Sequence, residues 1–483
     1  MTDTHATRRV AEYAAGLQFS ELPESTVEHA KQALLDLLGI AIRAAGEPGS
    51  SAVLRRVVDE LGAPGDATVA GIGAHYRPHY AALLNAAFAH TLDFDDTHQR
   101  GSIHPGAPVI PAALAIAEER GASGRALIEA IVAGYDVTVR LSEAAIPAAQ
   151  YDRGFHPTAT VGTFGATAAV ARVARAGART LEHAFGINGS QAAGSLQFLE
   201  NGAWNKRIHV GLAAHNAIVA YRLAAAGAQG ASSALEGTSG FFRGYTDGAD
   251  PARLSASLGP PYAIDETGFK PYPSCRYSHA AIDALLEILA ETRADAAQID
   301  AVRIGLPRSG MQLVGIPEDA KRRPTSIVDG QFSMFFCAAV TLLRRRFTWA
   351  EYALLGDPEV EATIRKISVA QDPRVEALFP GMAATVEVQI GGRTIRRLND
   401  TPRGEPANPL TWDDLTAKFD GLAGALYGPA RRERIVAAVR RLDRLPDVRD
   451  LTSLLTGPDR DLLPNTGDSF TGREAAFEKT SAS

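Results

Sequence analysis

Pro23-Glu-Ser-Thr-Val-Glu-His-Ala-Lys-Gln-Ala-Leu-Leu-Asp-Leu-Leu-Gly-Ile-Ala-Ile-Arg-Ala-Ala45 is the stretch on which the fold class turns. Its apolar positions Val27, Ala30, Leu34, Leu38 and Ala41 fall at i, i+3, i+7, i+11 and i+14, with Pro23 as a start signal and Gly46 as a stop, which predicts an amphipathic helix. The same texture recurs over 79–90, 108–119, 124–145, 161–176, 180–193 and 211–226, where alanine dominates and Gly or Pro marks the joints. Alanine is the best helix former and lets helices approach closely. Residues 1–265 therefore read as mostly α, beginning with a helix near 10–17. No repeat of fixed period is evident, which argues against a solenoid.

The texture changes after Gly259-Pro260-Pro261-Tyr262. A helix over 278–292 is followed by Ile299-Asp-Ala-Val-Arg-Ile-Gly-Leu306, whose β-branched content predicts a strand. Thr385-Val-Glu-Val-Gln-Ile390 and Arg393-Thr-Ile-Arg-Arg-Leu398 alternate around Gly391-Gly392, a pair that supplies the positive φ of a two-residue hairpin. Residues 266–402 thus read as a small α/β unit. Helix returns near 412–427, with Thr411 and Asp414 spaced as a capping box. The tail from 457 to 483, rich in Gly, Pro, Asp, Ser and Thr, is expected to lack fixed structure. The fold class expected is mainly α with an α+β part.

Length and composition fit this reading. The 483 residues are 46% hydrophobic and 22% charged, ordinary values for a globular chain. The net charge of −6, with both signs spread along the chain, argues against nucleic acid or an anionic membrane as the partner. The most apolar stretch, 332–343, ends at Arg344-Arg345-Arg346, short of the roughly 20 residues that cross a bilayer. It reads as a core helix. Only Cys275 and Cys337 are present, which excludes a disulfide framework and a thiolate zinc site and points to the cytoplasm. The first residues carry too much charge for a secretory signal.

Five of the 12 histidines, His75, His79, His90, His98 and His104, cluster around His90-Thr-Leu-Asp-Phe-Asp-Asp-Thr-His98. Carboxylates so close repel one another, so they must face water, pair with cations or build a site. A solvated acidic helix end is one reading. A divalent metal is another, although the spacing matches neither a His-Glu-x-x-His helix nor an EF-hand loop. His156, just before Pro157, is either a capping histidine or one projecting into a cleft from a helix entrance. Lys206 and Arg207, beside Trp204 and His209 in a Gly-bounded loop, are solvated charge or an anion site. Lys270, Cys275 and Arg276 open the small unit before a helix, whose N-terminus favours anions. Cys275 reads as a wall residue more readily than as a nucleophile. Together these groups suit a small polyanion, with cations holding carboxylates and a histidine or lysine moving a proton.

Several motifs appear in consistent order from about residue 8 to 450: Leu92-Asp-Phe-Asp-Asp-Thr-His98, His104-Pro-Gly, Gly134-Tyr-Asp-Val with Arg140, Gly154-Phe-His156-Pro-Thr, Lys206 with His209, Lys270-x-Tyr-Pro-x-Cys275, and Pro402-Arg-Gly-Glu-Pro. This combination closely resembles the MmgE/PrpD family of 2-methylcitrate dehydratases, cis-aconitate decarboxylases and iminodisuccinate epimerases. The resemblance implies a large helical domain from both chain ends (1–265 and 403–456), a smaller α/β domain inserted at 266–402, a homodimer, and a site in the cleft that needs no cofactor and no metal. The site residues of the decarboxylase pattern match at Asp93, Thr97, His104, His156, Lys206 and Lys270. Two positions depart from it. A histidine is replaced by Cys275 and a tyrosine by Phe336, which removes two proton donors.

The expected activity is that of a lyase on a small di- or tricarboxylate, with loss of water from a 2-methylcitrate-like hydroxy acid as the leading reaction. Epimerisation of an iminodisuccinate-like dicarboxylate and decarboxylation of a cis-aconitate-like acid are the alternatives, and metal-dependent hydrolysis stands behind them. Lys206, Lys270 and Arg276 are expected to hold carboxylates, and His104 and His156 to form the proton-transfer pair. Asp93 is expected to orient a histidine, Thr97, Cys275 and Arg207 to touch substrate, and Asp95 and Asp96 to brace the loop.

Overall fold

The structure, a computed structural model, describes residues 5–62, 64–200, 202–378 and 381–462. The chain is mainly α with a smaller α/β part. The longer helices of the first part are α1 (Ala6–Gly16), α2 (Glu24–Ala45), α3 (Ser50–Glu60), α4 (Pro78–Ala89), α5 (Gly106–Arg120), α6 (Gly124–Ala145), α7 (Pro157–Val173), α8 (Ala178–Gly189) and α9 (Asn205–Ala225). A short antiparallel ribbon, β1 (Pro64–Thr68) with β2 (His75–Tyr76), separates α3 from α4. The start signals are local: Pro occupies the first turn of α4 and α7, where its missing N–H has no helical partner, and Ser123 caps α6 by accepting from the Ala126 amide.

The second part contains α10 (His279–Thr292), β3 (Ile299–Leu306), α11 (Met334–Arg344), β4 (Ile367–Gln371), β5 (Ala384–Ile390) and β6 (Arg393–Asn399). The sheet order is β4-β3-β5-β6, with β3 and β4 parallel and the other pairs antiparallel. Gly391 and Gly392 take φ of 54° and 79°, as the hairpin requires, and Ile390 faces Arg393 across the turn. The outer strand β6 carries Arg393, Thr394 and Arg396 in the open, which blunts a free edge. Strand β4 has no counterpart in the sequence reading, because Ile367-Ser-Val-Ala-Gln is short and buries one residue fully.

Helices α12 (Trp412–Ala423) and α13 (Pro429–Arg440) close the chain, and Thr411 and Asp414 form the capping box. Both helices lie against α2, and Gly39 is the contact point. A Cβ there would come 3.2 Å from the Phe419 Cα. Two hydrophobic clusters result. One draws on residues 10–269 and again on 410–455, and the other on residues 272–388. The tail expectation needs correction at its start. The Gly457 amide donates to the Ile72 carbonyl and Asp459 accepts from the Gly428 amide, so this segment is tied to the body, while 463–483 lie outside the described residues.

Helices α6 and α7 cross at glycine. A Cβ on Gly165 would sit 1.7 Å from Thr138 Oγ1 and 2.6 Å from the Gly134 carbonyl oxygen. Gly165→Ala is therefore expected to destabilise the protein by about 3 kcal/mol or more, at the upper end of overpacking costs, read as a lower urea midpoint at unchanged m-value.

Candidate active site

The loop between α4 and α5 carries the acidic run. His90 ends α4, Asp93 takes a left-handed φ of 51°, and α5 starts at Gly106. The loop is held from below by Lys418 of α12, which donates to the carbonyls of Phe94 (2.8 Å) and Lys270 (2.9 Å) and pairs with buried Asp36 at 2.6 Å. The loop's far end is pinned by Asp96, which accepts from Tyr135 Oη (2.7 Å) and from the Gly106 amide (3.1 Å). Burial raises the Asp96 carboxyl to about 8 despite these bonds. A Cβ on Gly106 would lie 2.5 Å from the Tyr135 hydroxyl, so only glycine fits.

Asp93 lies between two lysines from distant parts of the chain. Lys206 Nζ is 2.5 Å from Oδ1, and Lys270 Nζ is 3.2 Å from Oδ2 while donating to the Asp93 carbonyl at 2.8 Å. Burial alone would raise this carboxyl, but the charges of Lys206, Lys270 and His104 outweigh it and hold it far below the usual range. Asp95, in turn, faces histidines. Its Oδ2 lies 2.7 Å from His90 Nδ1 and 3.4 Å from His104 Nδ1, and the two rings meet edge to face at 4.8 Å. Burial opposes the charge on Asp95 as well, yet His104 and His90 hold it ionised.

These contacts reassign two roles. The carboxylate that orients histidines is Asp95, expected to brace the loop, while Asp93, expected to orient a histidine, pairs with lysines. His104 Nδ1 lies on the Asp95 side at 3.4 Å without a hydrogen bond to it, which leaves Nε2, across the ring, for a ligand. His90 stacks on His156 at 5.8 Å, and His156 lies 6.1 Å from His209. Burial pushes His90 down to about 4 and, with the neighbouring His90 and Lys206, pushes His156 well below the usual value. Both are neutral imidazoles at pH 7, and His156 Nδ1 is buried without a hydrogen-bond partner. His90 and His209 are the residues the role assignment missed. The sequence signal for them was present, one in the histidine cluster and one in the Lys206 motif.

Helix α9 starts at Asn205, six residues before the expected boundary, so Lys206 and His209 stand in its first turns. The helix was hidden there because these side chains face the cleft and break the apolar period. Thr97 is half-buried beside the group, and its backbone pairs with Gly268 through two 2.8 Å bonds, joining the loop to the Lys270 segment. Cys275 is buried and burial pushes its thiol up to about 11, which fits a neutral wall and not a nucleophile. Phe336 is buried and stacked on Tyr352. The structure does not leave Arg276 free for substrate. Its Nε donates to Glu405 at 2.7 Å and its Nη1 lies 2.7 Å from His279 Nδ1, so a fixed internal pair takes up its charge. Arg207 donates to Ser50 Oγ at 2.8 Å.

Two groups have the composition of cation sites. His90, Asp95 and His104 place one ligand atom each within 4.8 Å of one another, as do His98, Glu143 and Glu266. In the first, His90 Nδ1 bonds Asp95 Oδ2 at 2.7 Å, while His90 Nε2, Asp95 Oδ1 and His104 Nδ1 are buried without a hydrogen-bond partner. The second is crossed by Arg100 and Arg140, which already pair with both glutamates.

The chain belongs to the MmgE/PrpD family. The MmgE/PrpD N-terminal domain matches residues 8–254 and the MmgE/PrpD C-terminal domain residues 272–444. Among curated proteins it is similar to cis-aconitate decarboxylase of Aspergillus terreus, 27% identical over 476 residues that cover 94% of this chain and 96% of that one. It is also 26% identical to human cis-aconitate decarboxylase over 463 residues, 92% and 93% of the two chains. No helix of the structure, among the described residues, is long and apolar enough to cross a membrane.

The buried neutral histidines predict a pH effect on stability. His90 has a folded value of about 4 against 6.5 unfolded, so between these values the unfolded chain binds the extra proton and stability falls as pH falls. His90→Gln removes that term. Its stability deficit relative to the parent should shrink between pH 6.5 and 5 by up to about 1.4 kcal/mol per pH unit, measured by urea unfolding at both values.

Proposed function

We propose that the protein is a cofactor-independent lyase on a small tricarboxylate, and that it removes CO2 from a cis-aconitate-like substrate. The observation that carries the reading is the buried Asp93 between Lys206 and Lys270, beside a histidine oriented by Asp95. The extended similarity to cis-aconitate decarboxylases supports decarboxylation over the dehydration expected from the sequence.

In this reaction the bond between the leaving carboxylate and its carbon breaks. The electron pair moves into the adjacent double bond system and onto a remaining carboxylate, CO2 departs, and one proton is delivered to the distal carbon. Lys206 and Lys270 stabilise that developing negative charge, and Asp93 raises the Lys206 ammonium and holds both lysines in place. His104 supplies the proton from Nε2, with Asp95 stabilising the imidazolium. His156, neutral and buried, lines the same histidine group and accepts or relays a proton. Thr97 contributes a hydroxyl toward the substrate. Homodimer formation and a cytoplasmic setting are part of the same proposal and are checked by sedimentation and fractionation.

Dehydration of a 2-methylcitrate-like acid is the second reading. It is favoured by the apolar and non-ionised side chains at Phe336 and Cys275, where the decarboxylase pattern has a tyrosine and a histidine. In that case one histidine takes the proton α to a carboxylate and the hydroxyl leaves as water.

Proton NMR in D2O with cis-aconitate, 2-methylcitrate, citrate and iminosuccinate distinguishes these reactions. Decarboxylation releases CO2 and places one deuterium in the product, dehydration yields an alkene, and epimerisation exchanges the α proton of unchanged material. His104→Gln and Lys206→Met should each slow turnover at least about 10²-fold. Near-normal rates in both overturn the assignment, and loss of turnover in EDTA favours the metal-dependent hydrolase.

A further inference from the structure

The site described above is one cation richer than it is acidic at the lysines: Asp93 neutralises one of Lys206 and Lys270, and Asp95 is shared by two histidines. A tricarboxylate brings up to three negative charges, so a further cation has to face it. Most candidates are already occupied. Arg276 pairs with Glu405, Lys418 with Asp36, and Arg322 with Glu318. Arg207, bonded to Ser50 Oγ, belongs to the Asp93 side already supplied with lysines, whereas Lys321 comes from the other part of the chain.

Lys321 belongs to the short helical turn Glu318–Arg322, in the part of the chain that carries the sheet. Its ammonium lies 6.0 Å from the centroid of the Phe332 ring, and the Lys206 ammonium lies 6.0 Å from the same centroid. One ring is thus flanked by a lysine from each hydrophobic unit, and the second of these lysines is bonded to Asp93. Such a pairing is favourable because the ring face is negative, yet it supplies no counter-charge. Among the described residues, no carboxylate stands within ion-pairing distance of half-buried Lys321: Asp329 acts on it from farther off and is bonded to Thr325 and Ser326. Its position at the cleft has a second support: Lys321 lies near Cys275, the buried neutral thiol that also neighbours Asp93, Lys270 and Lys206. The backbone is fixed, since the Ser333 hydroxyl that caps α11 donates to the Lys321 carbonyl at 2.5 Å. A half-buried ammonium without a counter-ion, on a rigid turn, is costly unless a ligand anion completes it.

We propose that Lys321 is the specificity-determining cation of this site: it receives the substrate carboxylate farthest from the Lys206–Asp93–Lys270 group and so selects three carboxylates over two. The inference rests on the lyase reading and adds the residue that counts the carboxylates. No motif in the sequence singles out Lys321 for this role.

The test compares Lys321→Met and Lys321→Arg with the parent. Calorimetry measures binding of tricarballylate, with three carboxylates, and glutarate, with two. Lys321→Met should weaken tricarballylate about 10- to 100-fold, the scale of one charge-assisted contact, and leave glutarate within about twofold. Lys321→Arg should restore most of the loss. With cis-aconitate as substrate, KM should rise by a similar factor while kcat stays within about threefold. Equal weakening of both anions, or unchanged tricarballylate binding by a folded Lys321→Met protein, overturns the role of Lys321 while leaving the lyase reading intact. A parent protein that binds neither anion and turns over no tricarboxylate overturns both.

Discussion

A carboxylate buried between two ammonium groups is the interaction on which the rest of this structure depends. Asp93, Lys206 and Lys270 come from a loop, from the first turn of α9 and from the entry to the α/β part, so their contact fixes three distant segments at once. Removing any one charge would strand the others in a poorly solvated place, a cost of several kcal/mol. The positive φ of Asp93 belongs to the same constraint. It turns the backbone so that Lys270 reaches the Asp93 carbonyl as well as its side chain. Lys418 completes the arrangement from beneath, tying Phe94 and Lys270 to α12 and so to the C-terminal end of the chain.

Three aspartates within four positions divide their work by environment. Asp93 meets lysines, Asp95 meets histidines, and Asp96 meets only a tyrosine and an amide. The first stays ionised because two lysine charges outweigh burial, and the second because its contacts with His104 and His90 do. The third has no cation and rises to about 8. One residue type therefore provides an electrostatic clamp, an imidazole orienter and a structural bracket, and like-charge repulsion is relieved because one of the three is protonated.

Much of the fold was legible in the sequence, because helix periodicity and turn chemistry are local. The 124–145 helix, the Gly391-Gly392 hairpin and the Thr411 capping box all follow from residues within one turn of each other. Misses occur where a long-range contact overrides the local pattern. The start of α9 is polar because it serves the cleft, and β4 is too short to declare itself without β3 beside it. Among site residues, Lys206, Lys270, His104 and His156 meet around the same loop as the motifs implied. Arg276 does not join them, because Glu405 lies 129 positions away in sequence but 2.7 Å away in space.

By itself the sequence determined the residue types available, the helical class, the hairpin and the supply of lysines, histidines and carboxylates for an anion site. Partnership was decided by tertiary structure alone: which aspartate meets lysine, which meets histidine, which arginine is occupied, and that Lys321 has no carboxylate bonded to it among the described residues. The reason is physical. Periodicity and capping act over a few residues along the chain, whereas charge pairing and desolvation act through space over a few ångströms, between segments that only folding brings together.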